Sequence, residues 1–147
     1  MIGLTFLRSA LPGAALAACV TFASPAFAET VSFKADLKAS EEVPANDSKG
    51  TGTVTATYDT ASKKLTWKGN YSGLSGPATM AHFHGPAEPG KNAGVAVPIT
   101  PSTSPFENSA NLTDAQAADL MAGRWYVNVH TAAHPGGEIR GQLVKGM

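Results

Sequence analysis

Four stretches of this chain alternate apolar and polar residues with a period of two, and Gly, Pro, Asn or Asp interrupts the chain between most of them. Residues 31–37 set Val31, Phe33, Ala35 and Leu37 on one side. Residues 52–58 do the same with Val54, Ala56 and Tyr58, and residues 64–71 with Leu65, Trp67 and Tyr71. In residues 124–130, Trp125, Val127 and Val129 point one way and Tyr126, Asn128 and His130 the other. A period of two is that of a half-buried β-strand, so each stretch is predicted to be one. Asp59 to Lys63 turns the chain between the second and third, which predicts a hairpin. Shorter strand candidates are 78–85, 95–99, 106–111 and, after Gly136-Gly137, 138–144; Pro98 favours an edge or an end for the second of these. One segment has helical grammar: Thr113 and Gln116 match a capping box, Ala115, Ala117, Ala118, Leu120 and Met121 favour helix, and Gly123 is a natural stop. About eight strands and a connector helix predict an all-β chain, an antiparallel Greek-key β-sandwich or barrel with one short helix.

Residues 1–28 are read apart from that domain. Arg8 supplies one positive charge, residues 9–27 carry none, and Ala26-Phe27-Ala28 places small residues where a signal peptidase cuts, before Glu29. This is the pattern of a secretory signal peptide, broken by Pro12, Gly13 and Pro25 and so not a membrane span. The domain is then residues 29–147, and export to a periplasmic or extracellular location is expected. An alternative is contained in Leu16-Ala17-Ala18-Cys19, which is similar to a bacterial lipobox and would anchor the protein to a membrane through an acylated Cys19. Cys19 is the one cysteine of the chain, so a chain cut at Ala28 enters an oxidising compartment with no disulfide available. Loss of the leader removes Arg8 and no acid, leaving 10 basic against 11 acidic residues. That near-neutral balance argues against nucleic acid or an anionic membrane as the main partner.

All four histidines fall in two groups, His82 with His84 and His130 with His134. In a strand, residues two apart share a face at a spacing of about 6.5 Å. His82 and His84 therefore project together, with Phe83 turned to the core, and both imidazoles can reach one ion through bonds of about 2 Å. Two ligands from one strand need a third from elsewhere; His130 offers it, and His134 is a fourth ligand or stands just outside. The residues alone leave two readings open, a metal site or histidines that face solvent and support loops. Imidazole without thiolate suits copper(II), zinc or nickel; copper is favoured because it binds most tightly in the divalent series, with zinc as the alternative. Glu138 is placed to orient a ligating imidazole through its free N–H. Arg140 is placed to draw an anion to the site, or to make an exposed ion pair on the last strand. No Gly-x-Ser-x-Gly elbow, phosphate loop or dinucleotide fingerprint is present.

At these residues the chain resembles the CHRD (chordin-type) domain family. The matching pieces are Phe33-Lys34-Ala35-Asp36-Leu37 through Glu41-Glu42-Val43-Pro44, then Ala81-His82-Phe83-His84-Gly85-Pro86, then Asn128-Val129-His130-Thr131 with Pro135-Gly136-Gly137-Glu138-Ile139-Arg140-Gly141-Gln142-Leu143. The resemblance implies a β-sandwich and does not by itself imply an activity. A looser similarity, to the copper half of copper-zinc superoxide dismutase, would carry His82, His84 and His130 over as copper ligands and Arg140 as anion guide. This chain lacks that family's second histidine set and its cysteine pair. Three functions follow as expectations: an exported copper-binding protein for storage, tolerance or delivery; a protein-binding or structural envelope module without metal, docking an envelope protein partner; and a dismutase-like copper oxidoreductase.

Overall fold

The second and third alternating runs pair along their whole length. β1 (Thr30–Lys38), β2 (Thr51–Asp59) and β3 (Lys64–Ser72) form an antiparallel meander, with β1 in register from Thr30↔Asp59 to Lys38↔Thr51 and β3 from Thr51↔Ser72 to Asp59↔Lys64. The turn between β2 and β3 is closed by the Asp59 carboxylate, which accepts from the Ser62 N–H at 2.7 Å and the Ser62 hydroxyl at 2.8 Å. Asp59 thus supplies the local side-chain bonds that favour a turn over continued strand. This computed structural model describes residues 28–146, so the leader and lipobox readings, with Cys19, lie outside the described residues.

Five further elements complete the first part of the chain path: β4 (Ala78–His84), β5 (Val95–Pro98), β6 (Phe106–Asn111), the helix α1 (Asp114–Met121) and β7 (Tyr126–Thr131). The last strand expected from the sequence is two, β8 (Ile139–Gln142) and β9 (Val144–Lys145). Leu143 separates them: its N–H leaves the ladder to bond the Trp125 carbonyl at 2.9 Å and its side chain is buried, while Val144 and Lys145 move on to pair with Lys34 and Phe33 of β1. The strand order is β5-β4-β7-β8-β1-β2-β3-β6, with β9 beside β1. The chain crosses between the two halves of this order from β3 to β4, from β5 to β6 and, through α1, from β6 to β7. The antiparallel all-β architecture expected from alternation is therefore present, as one sheet folded over on itself into a nearly closed barrel. Pro98 ends an edge strand, as expected, and the Thr113–Gln116 capping box forms in both directions.

The core lies between the halves. β1, β2 and β3 contribute Phe33, Leu37, Val54, Leu65 and Trp67; β4, β7 and β8 contribute Phe83, Val127, Val129 and Ile139. Trp67 meets Phe83 edge to face at a centroid distance of 5.1 Å, and Phe83 packs on Trp125 at 5.9 Å. Each such side chain contributes roughly 1.5–3 kcal/mol by leaving water. Phe83 is thereby anchored inward, which turns His82 and His84 to the opposite face.

The two halves join where β8 runs beside β1, with the single paired position Lys38↔Arg140. Their backbones approach closely at Gly141: a Cβ there would lie 2.3 Å from the Asp36 carbonyl oxygen. Backbone cannot yield as a flexible side chain would, so Gly141→Ala is expected to destabilise the fold by about 2–3 kcal/mol. Gly136→Ala, where no heavy atom lies within 4 Å of the added Cβ, is expected to be nearly neutral. Urea unfolding midpoints of the two variants test this, and equal midpoints would remove the close approach as the reason for Gly141.

Candidate metal centre

The outer face of the β4-β7-β8 half carries His82 and His84 from β4, Tyr126, Asn128 and His130 from β7, and Arg140 from β8. The register sets Met80 opposite His130, His82 opposite Asn128, His84 opposite Tyr126, and Asn128 opposite Arg140. It thus carries the late histidine, 46 positions on from His84 in the chain, next to the early pair. His82 Nδ1 lies 3.1 Å from His130 Nε2. The rings are 5.0 Å apart for His82–His130, 5.4 Å for His82–His84 and 6.3 Å for His84–His130. One ligand atom from each of the three lies within 4.8 Å of the other two. On a shared ion, bonds of about 2.0–2.1 Å put two nitrogens about 3.3 Å apart at a tetrahedral angle and about 4.1 Å apart when trans.

Backbone carbonyls set two of the rings. His84 Nδ1 donates to the Ala93 carbonyl at 3.0 Å, and His130 Nδ1 donates to the Pro135 carbonyl at 2.9 Å. A carbonyl only accepts, so Nδ1 carries the proton on both rings and each Nε2 presents a lone pair, the arrangement a ligating imidazole needs. His84 Nε2 is buried and has no hydrogen-bond partner. Burial, the larger cause, and the neighbouring imidazoles hold the His82 pKa below its usual value. Burial likewise lowers His84, opposed in part by the Ala93 carbonyl and the Asn128 amide. Both effects favour the neutral, ligand-competent ring.

His134 is not among the three gathered rings. Its backbone does the work here: it exchanges bonds with Thr131 and accepts from the Gly137 N–H at 3.0 Å, forming the turn that brings the Pro135 carbonyl to His130. Nor is Glu138 the partner of a histidine N–H; the Pro135 carbonyl takes that place. Glu138 is fully buried on the other side of the turn. It accepts from the Ser48 hydroxyl at 2.6 Å, the Ser75 N–H and hydroxyl at 2.7 Å each, and the Thr131 hydroxyl at 2.5 Å. It ties two loops to the end of β7.

Arg140 also departs from the sequence expectation. It is 2% exposed, so it is neither a surface ion pair nor an open guide for anions. Its guanidinium donates to Asn92 Oδ1 at 2.8 Å and the Lys91 carbonyl at 2.6 Å, and lies 3.4 Å over the Tyr126 ring. His84 stacks on the same ring from the β4 side, at 4.8 Å and 4°. Arg140 thereby bolts the 85–94 loop over the site, and that loop supplies the Ala93 carbonyl that sets His84.

Tyr126, Asn128 and Glu42 were given no role by the sequence. Alternation did place the first two on the face of His130, which was the available signal; the covering loop that buries them could not be read from period alone. Glu42 is 6% exposed. Burial raises its pKa to about 7, outweighing the Arg140 charge and the Asn128 and Val43 hydrogen bonds that lower it. Glu42 Oε1 and Asn128 Oδ1 both lack a donor.

Two carboxyls titrate in opposite senses. Burial tends to raise Glu138, but the Ser48, Thr131 and Ser75 donors together win and hold its pKa at about 2. Its stabilising contribution is present above the unfolded value of 4.5 and is lost as pH falls through about 2. Glu138→Ala is expected to cost about 3 kcal/mol at neutral pH, and less as the solution is acidified. For Glu42 the sign reverses: its ionisation costs stability as pH rises from 4.5 through about 7. Glu42→Gln is expected to raise the melting temperature at pH 8 by several degrees more than at pH 5. Thermal unfolding of both variants against pH checks both signs.

A family model described as the CHRD domain matches residues 33–143. No curated protein and no solved structure was found to match the chain. The matched span runs from the first core residue of β1 to Leu143 and contains His82, His84, His130, Glu138 and Arg140. This chain belongs to the CHRD-domain family.

Proposed function

We propose that this CHRD-domain protein is exported and binds a copper ion through His82, His84 and His130, for storage, tolerance or delivery of the metal. One observation carries the reading: three imidazoles gather their ligand atoms within 4.8 Å, and backbone carbonyls leave the Nε2 lone pairs of two of them unprotonated. An orphaned buried acceptor such as His84 Nε2 carries an unfavourable desolvation cost, which a bound cation offsets. The donor set is neutral nitrogen without thiolate. That set suits copper and zinc, and copper binds more tightly in the divalent series. Storage or delivery needs no turnover. A dismutase-like reaction gains no support from Arg140, which is 2% exposed and turned to Lys91 and Asn92 of the covering loop. No helix of the described residues is long and apolar enough to cross a membrane.

Loss of a supporting residue around a metal typically weakens binding 10–100-fold, so loss of a ligand is expected to weaken copper(II) by about 100-fold or more. His82→Ala, His84→Ala and His130→Ala should each do so, and His134→Ala should not. Equilibrium competition with a chelator, together with nitrogen hyperfine structure in copper(II) resonance spectra, reads both outcomes. Failure of the unaltered protein to retain copper or zinc after mild loading would end the metal reading. Retention of zinc with weaker copper would transfer the site to zinc.

A further inference from the structure

Met80 stands beside the three histidines in the strand register, paired with His130 and two positions before His82. Met80 precedes His82 and His84 at strand spacing, so the three side chains leave β4 on one face. The register pairs Met80 with His130, and side chains directly opposite across antiparallel strands have Cβ atoms about 4.5–5.5 Å apart. The pairing of β4 with β7 shifts between Ala78 and Met80, an irregularity of the kind that re-aims a side chain. Met80 is 47% exposed and absent from the core. It lines, with Thr79, Ala81 and His82, an open cleft of about 340 Å³ whose facing wall comes from residues 98–103. His82 is the least buried of the three imidazoles and is the one of them that lines this cleft.

A methionine thioether is soft and polarisable, and its three rotatable bonds let it reach a neighbouring site without backbone change. Soft thioether ligands suit copper(I), whereas the usual zinc donors are thiolate, imidazole and carboxylate. We infer that Met80 supplies a thioether as fourth ligand to the His82–His84–His130 site, so that the site holds copper in the cuprous as well as the cupric state. The inference rests on the metal reading above and goes beyond it in ligand set and oxidation state. It places the cleft beside His82 as the route by which copper enters and leaves, with Met80 at its mouth.

The test compares the purified protein with Met80→Leu, a swap that keeps volume and removes the sulfur. Anaerobic competition with a chromogenic cuprous chelator should show copper(I) bound about 10–100-fold more weakly by the variant, while copper(II) and zinc affinities change little. X-ray absorption of the copper(I) protein should show a sulfur scatterer beside the nitrogens. That scatterer should vanish in Met80→Leu and persist in Met121→Leu. Equal copper(I) affinity in protein and variant, or no sulfur at the metal, with copper(II) still bound, overturns the role of Met80 and leaves the histidine site standing. If the unaltered protein binds neither copper(I) nor copper(II), both the site and this ligand fall together.

Discussion

The register of β4 against β7 is the constraint on which the site depends. Side chains alternate across a strand, so a slip of one residue would turn His82 and His84 into the core and Phe83 out of it. Phe83 prevents this, because it fills the space between Trp67 and Trp125 and its exposure would forfeit the best-packed part of the interior. The same apolar anchoring holds Val127 and Val129 inward on β7, which leaves His130 facing the pair. The histidine cluster is thus positioned by the hydrophobic effect acting on its neighbours in sequence.

β7 is buried along its whole length, on both faces. One face meets the core. The other meets a coat of polar loop, which makes the site half of the sheet unlike an ordinary antiparallel sheet with one face in water. Buried polar groups are costly unless bonded, and here most are bonded to main chain: Arg140 to Lys91, His84 to Ala93, His130 to Pro135. Loop and site therefore define each other. The loop orients the imidazoles, and Arg140 on the sheet holds the loop. Three of the five buried side-chain atoms left without a partner among the described residues, Glu42 Oε1, Asn128 Oδ1 and His84 Nε2, belong to this part of the molecule; the other two are Trp67 Nε1 and Arg124 Nε.

Much of this was legible in sequence because it is local. The β2–β3 hairpin follows from alternation and the Asp59 turn, and α1 follows from the capping box. The outward direction of His82 and His84 follows from a period of two around Phe83. The partners of Glu138 and Arg140 were not legible in this way. Glu138 and Arg140 lie near His130 and His134 in sequence, and nearness suggested that they serve those rings. Alternate residues of β8 and its preceding turn instead enter different environments, Glu138 among Ser48, Ser75 and Thr131, Arg140 under Lys91 and Asn92. Apart from Thr131, seven positions before Glu138, their partners come from 48 to 90 positions away, and no local pattern encodes such a distance.

By itself the sequence determined the class of fold, the faces of the strands and the two histidine groups from which a site could be built, since these depend on side-chain period and residue chemistry within a few positions. Only the tertiary structure decided that His130 joins His82 and His84 while His134 serves through its backbone. It also decided that carbonyls of Ala93 and Pro135, rather than a carboxylate, set the imidazoles, and that Met80 stands across from His130. Those outcomes depend on which strands lie side by side and in what register. The summed burial of the whole core settles that, and no single segment of the chain carries it.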